Sequence, residues 1–183
     1  MERLADDERE VPDVYDVAVP RVRVFLAGLA VAAAVMLIAE MFMMLVLRQL
    51  VFLLVAAPVT GAFVLTAGAA VGWFAGRISA GMDQRKASLT FFAAGFLAGG
   101  LWGFPVVTLL NNASAEATGS TAAPLGAVLA GTLYLASTAG LGGLAGRYFG
   151  PFVAARGRLL AMITAVVLVV TVGSLLLLTL VPL

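Results

Sequence analysis

The hydrophobic pattern of this chain consists of long unbroken apolar runs, not of alternating apolar and polar positions. Five runs stand out, at about 24–47, 59–76, 88–110, 124–146 and 159–181. Each holds roughly 18–24 residues, and a helix needs about 20 to cross a hydrocarbon core of ~30 Å. A membrane-spanning strand would instead alternate over segments of ~10 residues, and no such pattern occurs. The runs predict an all-α integral membrane protein with five transmembrane helices. Before the second run, Pro58 and Gly61 in "LLVAAPVTG" predict a turn. Pro105 predicts a kink in the third, because proline removes a backbone donor and crowds the preceding turn.

Within the runs, glycine recurs at every fourth position. The second holds Gly68, Gly72 and Gly76, the third Gly95, Gly99 and Gly103, and the fourth Gly142 and Gly146, continued by Gly150 if the helix extends. Four-residue spacing puts each set on one stripe of its helix. Glycine weakens a helix in water, so the stripes need a reason. In lipid, small residues let two backbones approach closely. The expectation is a glycine-packed core of helices 2–4. The first run, with Gly28 as its lone interior glycine, and the bulky fifth, "LLAMITAVVLVVTVGSLLLLTL", read as outer helices. The segments 61–77 and 131–147 also match at seven of seventeen positions and share the ending Gly-x-x-Ala-Gly-Arg, a candidate internal repeat.

Composition agrees with a lipid solvent. Of the 183 residues, 62% are apolar and 11% charged, and the mean hydropathy is +1.08; soluble domains carry about 25% charged residues. The charges are unevenly placed. Arg3, Arg9, Arg21 and Arg23 precede the first run, Arg77, Arg85 and Lys86 follow the second, and Arg147, Arg156 and Arg158 follow the fourth. Arg48 alone falls on the other side. The positive-inside bias therefore predicts a cytoplasmic N-terminus and an outside C-terminus. Residues 1–23 hold seven acidic side chains between Glu2 and Asp16 and read as an acidic cytoplasmic tail without fixed structure. The first apolar run is too long for a signal-peptide core, so it is expected to stay attached. The loop "NNASAEATGSTAA" falls outside, and its sequon at Asn112 starts too near a span for ready glycosylation.

Cysteine and histidine are both absent. That removes disulfides, thiolate or imidazole metal sites and every Cys-His or Ser-His arrangement. No paired carboxylates and no glycine-lysine phosphate loop occur, so an enzyme is not expected. No metal, cofactor or nucleic acid is expected either. Glu40 is the one acidic residue inside a run. Three readings apply to it: a packing or snorkelling carboxylate, a proton- or cation-binding group on a permeation path, or a soft-metal site with Met36, Met43 and Met44. The last lacks supporting ligands, since methionine in apolar helices mostly fills gaps. Arg48, two turns on, is too far for direct contact within a straight helix. Arg77 and Arg147 read as cytoplasmic anchors, complementing the C-terminal dipoles of their helices. Thr60, Thr66, Thr90, Ser137, Thr138 and backbone carbonyls are candidates to line any polar path.

Together these features predict a non-enzymatic multi-pass protein of a prokaryotic cytoplasmic membrane. Its expected role is that of an accessory, assembly or scaffold subunit, meeting a protein partner or its own copies through membrane helices. The alternative is a small channel or transporter that uses Glu40.

Overall fold

A computed structural model of the chain describes residues 19–48 and 52–180. Among these residues every regular element is helical. Five helices are long and apolar enough to cross a membrane. The first is α1 (Arg21–Val46). The second is built from α2 (Leu53–Phe63), a π-helical stretch (Val64–Gly68) and α3 (Ala69–Ile78). Then come α4 (Gln84–Thr118), α5 (Leu125–Ala155) and α6 (Gly157–Leu180). Of the acidic tail expected at 1–23, residues 1–18 lie outside the described residues, whereas Arg21–Arg23 already belong to α1.

The helices outrun the apolar runs at several ends. Pro58 and Gly61, read as a turn, lie inside α2, which begins at Leu53 and not at Val59. Away from water a helix that loses one hydrogen bond at proline is cheaper than an open turn with several unpaired groups. For the same reason α4 continues through Pro105 to Thr118, and α5 passes Pro151. The sequon at Asn112 is consequently helical. Asp83 starts α4 as an N-cap, its carboxylate accepting from the Lys86 backbone N–H at 2.8 Å. Gly119, at φ +63°, ends it. Asn111 then ties the following loop back, exchanging two hydrogen bonds with the backbone of Ala123 at 3.0 and 3.2 Å.

The centre of the bundle is α5, the helix with the most buried residues. It packs between α4 and α1, while α2 lies against α6 and α1, and α3 against α4. This differs from the expected core of spans two, three and four. The first span is inside, burying Ala27, Val31, Ala33, Met36 and Leu37. Its one interior glycine is enough because the opposing stripe on α5 supplies the rest. A Cβ added at Gly146 would stand 2.5 Å from the Gly28 carbonyl oxygen, and one at Gly142 would stand 3.0 Å from that of Ala32. A Cβ at Gly150 would stand 3.2 Å from the Gly28 Cα. On α4, a Cβ at Gly95 would lie 2.5 Å from the Ala139 carbonyl oxygen, and one at Gly99 2.6 Å from the Ala139 Cβ. Gly103 faces Leu135 at 3.3 Å. The fifth span, α6, is peripheral and buries only Ser174.

Candidate functional site

Glu40 is the most completely buried charged side chain among the described residues, at 1% exposure. It lies six residues before the end of α1 and faces α2, where Thr60 is equally buried. The Thr60 hydroxyl donates to Oε1 of Glu40. Oε2 has no partner. Arg48 does not supply one: it follows α1 at φ +55° and is exposed. The proximity of Thr60, twenty positions along the chain, comes from the antiparallel pairing of α1 and α2.

The register of α1 against α5 brings a second hydroxyl to the same level. Gly28 opposes Gly146 and Ala32 opposes Gly142. Continued for two antiparallel turns, the pairing sets Tyr134 opposite Glu40. The Tyr134 phenol lies within electrostatic reach of the Glu40 carboxylate, and its oxygen is buried without a hydrogen-bond partner. A third hydroxyl approaches from α6, where Thr171 abuts α2 at Gly61 and its Oγ1 is also buried and unpaired. Most other hydroxyls expected as path-lining groups turn away. Thr66, Thr90, Ser137 and Thr138 donate to carbonyls of their own helices at 2.6–3.0 Å. Thr60 alone among the five reaches a side chain of another helix.

A cavity of about 680 Å³ lies between α1, α3, α4 and α5. It opens where α1 begins and α3 ends, at exposed Arg21 and Arg77. Inward it reaches Met36, Phe63 and Val64, all buried. Met36 and Phe63 also bound a void of about 10 Å³ next to Thr60, hardly room for one water at about 10–15 Å³. These two side chains therefore stand between the cavity and the Glu40–Thr60 pair.

Gly68, Gly72 and Gly76 line this cavity. No other helix packs closely on them. A Cβ at Gly72 would meet the Phe25 ring at 3.4 Å and one at Gly76 the Phe91 ring at 4.0 Å, both ordinary contacts, while at Gly68 the nearest atom is the carbonyl oxygen of Phe63 in the same span, also at 3.4 Å. The stripe read as a packing surface thus faces open space.

The two arginines read as a matched pair of anchors occupy different settings. Arg77 is the penultimate residue of α3, exposed, with its guanidinium carbon 3.9 Å over the Trp73 ring. Arg147 is not at a helix end, because α5 runs eight residues further. It lines the cavity, 6.0 Å from the Phe91 ring, and its Nε is buried without an acceptor among the described residues.

Sequence reasoning missed Tyr134, Thr171 and the second glycine face of α5. On that face Gly140 meets Phe92, and Gly143 meets the Phe91 carbonyl oxygen at 2.6 Å. Three-residue spacing of Gly140 and Gly143, beside Ala136 and Ala139, was the available signal. Among the described residues no group of three or more acidic side chains is placed to hold a metal ion. The chain matches no protein-family model, no curated protein and no solved structure.

Proposed function

We propose that this chain is a small non-enzymatic permease in which Glu40 carries a proton or cation and the adjoining cavity is the vestibule. The observation that carries this reading is the half-satisfied carboxylate: Oε1 is bonded to Thr60, and Oε2 is buried with no donor among the described residues. Buried polar atoms are nearly always paired, and an ionisable group inside a membrane helix is costly unless it is used. A carboxylate kept only for packing would have both oxygens engaged. Met36 and Phe63 form the closed partition in this reading, and the close glycine contacts of α1, α4 and α5 form the fixed frame. The basic residues at the open end support a cytoplasmic mouth, an N-terminus inside and a C-terminus outside, in the cytoplasmic membrane of a prokaryote.

The test is labelling of the intact protein with an apolar carbodiimide, which forms a stable adduct with protonated carboxyl groups in an apolar setting. Mass spectrometry is expected to find the adduct on Glu40, declining as pH rises or as sodium or potassium is added, and absent from Glu40→Gln. A Glu40 that never labels, or labels without regard to pH and cations, would overturn the reading.

A second reading, an accessory subunit that meets a partner through its membrane helices, is favoured by α6, an apolar helix with a single buried residue. Native mass spectrometry of the protein extracted from its own membrane separates the two. A stoichiometric foreign subunit supports the accessory role; a lone chain or closed homo-oligomer supports the permease.

A further inference from the structure

The cavity beside α3 combines three features that one kind of ligand would answer together. Its wall is apolar and bare, because Gly68, Gly72 and Gly76 present no side chains to it. Empty apolar space forfeits dispersion contacts on every lining atom. Its volume of about 680 Å³ falls within the roughly 300–1,000 Å³ of small-molecule sites. Finally, among the described residues its charged lining consists of Arg21, Arg77 and Arg147, with no carboxylate. The nearest acid by sequence, Asp83, is occupied by Lys86 at 3.4 Å.

Arg147 separates this arrangement from ordinary interfacial anchoring. An anchoring arginine sits at a helix end with its guanidinium in headgroups or water, as Arg77 does. Arg147 sits two turns inside α5, level with Gly28, and its Nε is buried and has no partner among the described residues. A buried guanidinium N–H calls for an acceptor, and its planar fork matches phosphate oxygens in pairs.

We propose that this cavity binds an anionic phospholipid, its acyl chain against the glycine wall of α3 and its phosphate on Arg147, with Arg21 and Arg77 answering its net negative charge. The glycine stripe of the second span then serves to make room for a chain. The site needs neither Glu40 nor transport; where the permease reading also holds, the lipid occupies the vestibule and must leave it for an ion to pass.

Trp73 lies on the cavity lining, and Trp102, the second of the two tryptophans, lines the small void near Gly99 instead. In Trp102→Phe, Trp73 is therefore the sole indole reporter. The experiment titrates this protein, in unbrominated phosphatidylcholine bilayers, with phosphatidylglycerol or phosphatidylcholine carrying brominated chains. Saturable quenching is expected, with the anionic lipid about tenfold tighter. Arg147→Gln should abolish that preference, and Gly72→Leu should remove the saturable quenching, with thermal unfolding followed in parallel. If Gly72→Leu does not accumulate, Gly76→Val obstructs the same wall. Equal quenching by the two lipids would overturn the headgroup assignment. Quenching that survives a folded cavity-filling variant would place the lipid on the outer surface of Trp73 and overturn the site. Displacement of the brominated lipid by millimolar inorganic phosphate would overturn the requirement for a chain.

Discussion

The stripe Gly142, Gly146, Gly150 on α5 and the stripe Gly68, Gly72, Gly76 on the second span share a spacing and meet opposite surroundings. On α5 the backbone of α1 comes so near that a methyl group would stand 2.5–3.2 Å from its backbone atoms. On the second span a methyl group would touch only the edge of an aromatic ring, or nothing closer than its own preceding turn. One stripe is small so that another helix can approach; the other is small and leaves space empty. Fourfold glycine spacing reports that a face is bare, and it is silent about what the bare face receives.

Substitutions can sharpen or break this contrast. The largest effect belongs to the companion contact on α4, where Gly95→Val must displace the Ala139 carbonyl and the Gly140 Cα, neither of which can rotate away. Overpacking typically costs 1–3 kcal/mol, and here about 3 kcal/mol is expected. It should appear as loss of folded protein, or as a much lower unfolding midpoint in detergent. Gly146→Ala is next. Its Cβ would also stand 2.5 Å from a backbone oxygen, that of Gly28, but alanine adds one carbon where valine adds three. About 1–2 kcal/mol is expected from the same measurement. Smallest is Gly76→Ala, within about 0.5 kcal/mol and with a gain in helix propensity on its side. If Gly76→Ala were as damaging as Gly146→Ala, the two stripes would not differ and the cavity would not exist as described.

Much of the architecture was legible in the apolar runs, because length and hydropathy alone decide what can cross a bilayer. The ends were not legible. Pro58, Gly61 and Asn112 are turn-forming residues in water, and here they are helical because the surroundings reward paired backbone groups. Glu40 could be singled out as the one acid within a span. Its setting could not, since Thr60 and Tyr134 are brought to it by helix pairing and register, which periodicity within a single helix does not encode. Arg77 and Arg147 end the same Gly-x-x-Ala-Gly-Arg motif and still differ. One helix stops a residue later, and the other continues for two turns.

The π-helical stretch at Val64–Gly68 settles the angular phase of the second span. A π turn accommodates one residue more than an α turn. In an unbroken α-helix at about 100° per residue, Gly72 would point ~120° away from Thr60. One extra residue in the intervening turn brings that difference down to about 20°. The Thr66 hydroxyl donates to the Ala62 carbonyl within this widened region, at 2.6 Å. Thr60 can thus face Glu40 while Gly72, three turns away, faces Phe25 on the same helix α1. The carboxylate and the lipid-sized hollow are aligned along one side of α1 by a single surplus residue. Removing one residue from 65–67 would leave every side chain lining both sites present and turn one site's wall out of line with the other.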